Sequence, residues 1–318
     1  MQKIVKHKIQ KGVISLNKAI VTGANGFVGS ALVRELLAKN IEVVAIDLNG
    51  CCGNLPESDL LTFIPCSIDS IADIESDERV KNSDVFYHFA WVGSAGEARA
   101  NCSLQLENAK WTIDCLRSAN KIGCTSFVCA GSIMEQETIA AVYTNGNKPG
   151  AGYIYGSGKL VAHTMAASVA TQLGIKLIWA NITNSYGPGE LSPRLVNTTL
   201  RKIIAGESPS FTSGVQNYDF IYITDVAKAF RLLGEYGHTH CTYVIGSGNA
   251  KPLKEFLLEM KSAVSPQLDF IFGDIPFTGI NMPVEKFSID LLKEHTGFAP
   301  EVSFAEGTKK TMEWIKKQ

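Results

Sequence analysis

Tyr155-Gly156-Ser157-Gly158-Lys159 sets a phenol and an ammonium four residues apart. On a helix that spacing brings both to one face. A tyrosine with an ordinary pKa of ~10 is a poor proton acceptor at neutral pH. A neighbouring cation favours the phenolate, by about 1.4 kcal/mol for each pH unit of displacement. Such a group can take a proton from an alcohol while hydride leaves the carbinol carbon. Tyr153 is a weaker candidate, because Ser157 stands four residues beyond it where Tyr155 has Lys159. A third group comes earlier: the apolar run 126–130 ends at Gly131-Ser132. A hydroxyl at such a strand end can donate to a developing alkoxide or carbonyl.

Hydride needs an acceptor, and the chain offers a place for one. The apolar run 19–22 enters Gly23-Ala24-Asn25-Gly26-Phe27-Val28-Gly29, and a helical pattern follows. Gly23 permits a tight strand-to-helix turn, Gly26 lets backbone approach a pyrophosphate, and Gly29 lets helix pack on strand. The free amides and positive end of that helix favour phosphates. A second strand ends in Asp47, 18 residues beyond Gly29, where a carboxylate accepts from adenosine ribose hydroxyls. It would repel a 2′-phosphate, and neither Arg nor Lys lies in 48–55 to offset that. NAD is therefore expected over NADP.

These groups must be held by an alternation of strands and helices. Strands are expected at 19–22, 42–46, 61–66, 85–89, 126–130 and 176–181, with helices at 26–38, 71–80, 99–120 and 154–173. The strands are apolar throughout, as when both sheet faces are covered. The expected fold is α/β, a Rossmann-type doubly wound parallel sheet with a smaller, loop-rich C-terminal substrate region. Residues 1–181 form the NAD-binding domain, with 1–17 an N-terminal extension. Residues 182–318 are mainly substrate-binding, some chain returning to the first domain. Short helices are expected near 193–205, 224–235 and 252–263. The 318 residues include 30 Lys+Arg against 31 Asp+Glu, a net charge of -1, which argues against nucleic acid or a polybasic membrane surface. No run approaches a membrane span, and residues 1–18 lack the apolar stretch of a secretion signal. Eight cysteines without a C-x-x-C pair suggest free thiols in a reducing cytoplasm and no metal.

The glycine spacing G-x-x-G-x-x-G, with Asp47, Ser132 and Tyr155-x-x-x-Lys159, resembles the extended short-chain dehydrogenase/reductases of the NAD-dependent epimerase/dehydratase family. The likeness runs from Ala19 to Trp314. It implies Ser132, Tyr155 and Lys159 as catalytic residues. It places the cofactor against Gly23, Asn25, Gly26, Phe27, Val28, Gly29, Asp47, Asn49, Ser67 and Ile68, Ser67 standing where the family usually has Asp. Phe89, Ala90, Trp91, Asn108, Ala130, Gly131, Tyr155, Lys159 and Ile182 complete that set, Asn108 as a brace. His88, in a segment like the family's His-Leu-Ala-Ala, reads as a core histidine. Ser132, Asn184, Arg194 and Tyr218 are implied to face the substrate.

Four departures stand out. Asn184-Ser185-Tyr186-Gly187-Pro188-Gly189 lacks the family's arginine three residues earlier, where Asn181 stands. Tyr218-Asp219-Phe220 opens on tyrosine where the family has the arginine that grips a substrate pyrophosphate, and a late arginine near Asn281 is missing too. Arg194 and Arg201 are possible substitutes. Ile133-Met134 follow Ser132 where the dehydratase branch has Asp-Glu, and Glu135 comes one position late, so a 4,6-dehydratase is disfavoured. The resemblance implies an NAD-dependent epimerase of a nucleotide-linked sugar, a homodimer paired through helices 99–120 and 154–173. Alternatives are a nucleotide-4-keto-sugar reductase or sugar dehydrogenase, and a dinucleotide-binding regulator without turnover.

Overall fold

A computed structural model describes residues 16–318; all but the last two residues of the expected N-terminal extension lie outside the described residues. The first strands are β1 (Lys18–Thr22), β2 (Glu42–Asp47), β3 (Leu61–Pro65), β4 (Val85–His88), β5 (Ser126–Ser132) and β6 (Lys176–Ile182). The helices among them are α1 (Phe27–Ala38), α2 (Cys102–Ile122), α3 (Met134–Tyr143) and α4 (Tyr153–Leu173). Beyond β6 come β7 (Asn184–Tyr186), α5 (Leu195–Ile204), β8 (Ser210–Phe211), β9 (Asn217–Tyr218), β10 (Phe220–Tyr222), α6 (Ile223–Tyr236) and β11 (Cys241–Ile245). The chain closes with β12 (Lys251–Pro252), α7 (Leu253–Val264), β13 (Ile271–Phe272), α8 (Asp290–Thr296) and α9 (Phe304–Ile315).

Seven strands form one parallel sheet in the order β11-β6-β5-β4-β1-β2-β3. Successive residues of each strand serve opposite faces. Ala19, Val21, Val43, Ala45, Val85 and Val128 pack with α1 and α6. Ile20, Val44, Ile46, Phe86, Phe127 and Trp179 pack with α2 and α4. Burying both faces explains the unbroken apolar runs. Strand order reverses between β1 and β4, and a ligand crevice forms beyond the strand ends at such a point.

Two helical expectations are corrected. Residues 71–80 make 3-10 turns at Ile68–Ile74 and Glu78–Val80, not an α-helix. Ile68, Ile71 and Ile74 are buried at a spacing of three, the 3-10 repeat, and Ser70 leaves helical geometry. The helix expected from residue 99 begins at Cys102, because Asn101 caps it by accepting from the Leu104 amide at 3.1 Å. Arg99 falls outside it, in a 3-10 turn (Glu97–Ala100). Helices α3, α8 and α9 and strand β11 have no counterpart among the elements expected from the sequence.

After β6 the small pairs β7–β10, β8–β13 and β9–β12 build a region at the carboxyl end of the sheet. Tyr186, Phe220, Phe256 and Phe304 pack edge to face or tilted in its centre. Asp219 and Asp225 are buried and accept backbone amides, Asp219 from Ser247 and Asp225 from Glu301 and Val302. Those carboxylates hold loops together and leave the chemistry to other groups.

Candidate active site

The turn after β1 and the end of β4 are pressed together. Gly23 has φ +66, and a Cβ there would stand 2.6 Å from the Ala90 amide nitrogen. The same atom on Gly29 would run into the Gly23 carbonyl. Helix α1 then starts at Phe27 without a side-chain cap, so its first amides are left for a ligand. Asp47, at the tip of β2, accepts from the amides of Asn25 (2.8 Å) and Leu48 (2.9 Å).

These elements wall a cavity of about 500 Å³. Gly23, Asn25, Gly26, Phe27, Val28, Gly29 and Asp47 line one end, with Ser67 and Ile68 beside them. Phe89, Ala90, Trp91, Ala130, Gly131, Ser132, Tyr155, Lys159 and Ile182 line the other. Two members of the expected cofactor set stand outside it. Asn49 is exposed beyond Asp47, because the chain turns outward after β2. Asn108 is buried behind the loop after β4 and bonds both the amide and the carbonyl of Val92, each at 2.8 Å. It shapes the wall through that loop.

Tyr155 and Lys159 share one face of α4. Gly156 and Gly158 lie between them, and a helical glycine costs about 1 kcal/mol against alanine. Here each clears a neighbour: a Cβ on Gly156 would strike Thr138 of α3, and one on Gly158 would come within 2.9 Å of Gln105 of α2. Lys159 is 4% exposed, donates to the Ala130 carbonyl at 2.8 Å, and rests 3.7 Å above the Trp91 ring centre. Trp91 is fixed in turn by its indole donating to Gln105 at 2.8 Å. Ser132 closes β5, and its Oγ accepts from the Met134 amide at 3.2 Å, opening α3.

Glu135 turns away from the cavity. It is buried, accepts from the Ser132 amide (3.1 Å) and the Trp179 indole (2.9 Å), and pairs with His163 Nδ1 at 2.8 Å. Gly131 lies against this knot; a Cβ there would strike Trp179 Nε1 and Asn181 Oδ1. Asn181 is therefore sealed inside the sheet, its Oδ1 buried without a hydrogen-bond partner. His88 is also interior. Thr112 gives its proton to the Asn108 carbonyl, so it accepts from His88 Nε2–H, and Nδ1 is left to accept from Thr22. Burial and the nearby Lys159 charge lower this imidazole's pKa to about 3.

A second cavity, of about 330 Å³, adjoins the first and shares Ser132, Tyr155 and Arg194 with it. Asn184 and Tyr218 line it as well. Burial pushes the Tyr218 phenol up to about 12. Arg201 opens elsewhere, toward Pro193 and Lys202, so of the two possible substitute arginines only Arg194 faces this space. Three charged residues absent from the sequence-based set also line it: Arg99, whose guanidinium carbon stands 4.4 Å from the Tyr155 ring centre, Glu137 of α3, and Glu190, which pairs with Arg194 at 3.3 Å. Reading Asn101 as a helix cap would have freed Arg99 from α2; Glu137 carries no local signal.

The cofactor cavity suits a dinucleotide, with a side-chain-free phosphate loop, an uncapped helix start and a carboxylate at the second strand's tip. Comparison with known proteins agrees. The model of the NAD-dependent epimerase/dehydratase family matches residues 19–246. The dTDP-4-dehydro-6-deoxyglucose reductase of Escherichia coli is 24% identical over 94% of this chain and 98% of its own. A putative UDP-glucose 4-epimerase of Methanocaldococcus jannaschii is 26% identical over 93% and 98%. Among solved structures, a UDP-N-acetylglucosamine 4-epimerase from Methanobrevibacter ruminantium superposes with a TM-score of 0.79 at 21% identity, covering 95% of this chain and 98% of that one. The chain belongs to the NAD-dependent epimerase/dehydratase family of extended short-chain dehydrogenase/reductases, and is an enzyme whose cofactor is NAD.

Proposed function

We propose that this protein is an epimerase of a nucleotide-linked sugar, with Tyr155 as its acid and base. The observation that carries the reading is the meeting of Ser132 and Tyr155 where the two cavities join, with Lys159 lining the first beside them. One cavity takes NAD and the other takes the nucleotide sugar. Bound NAD supplies a hydride acceptor and, on return, a donor. Tyr155 takes the proton of the sugar hydroxyl and gives it back after the keto-sugar has turned its other face. Ser132 donates to the oxygen as it becomes a carbonyl. Lys159, held between the Ala130 carbonyl and Trp91, presents its ammonium on the helix face that carries the phenol. Asn184, Arg194 and Tyr218 contact the substrate. No acid follows Ser132 directly, and Glu135 is committed to Trp179 and His163, which weighs against a 4,6-dehydratase.

Residues up to 181 serve NAD and the later ones mainly the substrate, with β11 returning to the sheet. The half-exposed Trp111, Val161 and Val169 and the exposed Met165 on α2 and α4 support a homodimer paired through these helices. Eight unpaired thiols support a reducing, cytoplasmic setting. Among the described residues no helix is long and apolar enough to cross a membrane.

Incubation with NAD and UDP- or dTDP-linked hexoses tests the reading. Interconversion of two sugars without net change at the nicotinamide absorbance is expected, and Tyr155→Phe should abolish it. Stoichiometric NADH formation or consumption would replace the epimerase with a dehydrogenase or reductase. Wild type without any sugar-dependent hydride transfer would sink both.

A further inference from the structure

The second cavity holds a cation that the protein leaves nearly unanswered. Arg99 is half-buried, and its guanidinium carbon lies over the Tyr155 ring, 4.4 Å from the ring centre. Its hydrogen bond within the protein is a long one, Nη1 to the Ser94 carbonyl at 3.5 Å. Among the described residues no carboxylate comes within 4.0 Å of it, whereas Arg194 is paired with Glu190 at 3.3 Å. Burial lowers the Arg99 pKa, as for a cation short of counter-charge. Glu137 faces it from α3 without pairing. Burial raises the pKa of that carboxyl, against the nearby Arg99 charge, which lowers it.

We propose that Arg99 sets specificity at the sugar end of the site by binding a carboxylate carried on the sugar of the nucleotide-linked substrate. This rests on the epimerase reading above. A guanidinium stacked on a ring keeps its N–H edges free, and their fork matches a carboxylate in two hydrogen bonds. The anion at Arg99 belongs to the sugar, because Tyr155 marks the reacting carbon and the diphosphate must lie farther off. The family's pyrophosphate arginine is missing at Tyr218, yet Arg99 fills a different place, in the turn before α2.

Steady-state turnover of UDP-glucuronate and UDP-glucose, and of the dTDP pair, tests this in wild type, Arg99→Gln and Arg99→Lys with NAD present. Wild type should favour the acidic sugar at least tenfold in kcat/KM. Arg99→Gln should lower the acidic sugar ten- to a hundredfold and the neutral one less than threefold, and Arg99→Lys should lie between. Thermal shifts with UDP or dTDP alone should be the same in all three. A wild type that prefers neutral sugars, or an equal loss on both, would overturn the assignment and leave the epimerase standing. A changed shift with the nucleotide alone would move Arg99 to the diphosphate and overturn it as well. No turnover or binding of any of the four sugars would overturn both readings.

Discussion

Replacing His88 with glutamine should change how stability depends on pH. The imidazole is 1% exposed and neutral, donating from Nε2 to Thr112 and accepting at Nδ1 from Thr22. Its pKa is lowered from 6.5 to about 3, first by burial and then by Lys159. An unfolded histidine protonates near its ordinary value, so between those limits unfolding takes up a proton. Stability then falls as pH drops through the unfolded value toward the folded one. At pH 5, one and a half units down at about 1.4 kcal/mol each, the loss is about 2 kcal/mol. Glutamine can donate and accept in the same places and does not titrate. Urea unfolding at pH 7.5 and pH 5 gives the difference between wild type and His88→Gln at each. That difference should move by about 2 kcal/mol in favour of the variant at the lower pH. An identical difference at both values would refute a neutral buried imidazole.

Glu135→Ala leaves the Ser132 amide and the Trp179 indole without their acceptor, at about 1–3 kcal/mol for each. Urea denaturation should show the loss, and a change below about 1 kcal/mol would contradict the role given to Glu135. Gly131→Ala forces a methyl group against Trp179 and Asn181, and should cost about 3 kcal/mol or abolish expression as folded protein. Normal melting of that variant would mean β5 and β6 can part there. Asp47→Ser removes the carboxylate at the tip of β2, so titration should show NAD bound about ten- to a hundredfold more weakly and the gap to NADP narrowed. Unchanged affinity would remove Asp47 from ribose recognition.

Six of the seven strands of the sheet could be read from the chain, the inner ones because they are covered on both faces, whereas β11, partly exposed at the edge, could not. Residues such as Ala19 to Thr22 had no polar alternation to confuse the reading, and all four are fully buried. The glycine loop was legible for a related reason: its glycines answer to backbone contacts inside one strand–turn–helix unit. Helix α3 was missed because only Glu135, Thr138 and Ala141 are buried along it, too few for an amphipathic pattern. Asn49 and Asn108 were expected at the cofactor; the first follows a turn that leads the chain outward, and the second reaches the wall through Val92. Arg99 meets Tyr155, and Glu137 shares their cavity, only because the turn before α2 and the face of α3 converge on α4. Such a meeting is a property of the assembled tertiary structure, and no window of neighbouring residues records it.

Gly156 and Gly158 have a mechanical consequence. Two residues along a helix is a rotation of about 200°, so the two glycines bear on α3 and α2 from nearly opposite sides. A helix gripped in this way resists turning about its own axis, and the Lys159 ammonium, bonded to the Ala130 carbonyl two residues before Ser132, ties it lengthwise to β5 as well. Phenol and hydroxyl are therefore kept in register through one strand, and a disturbance from a distant part of the protein must break that tie before it can alter the gap between them.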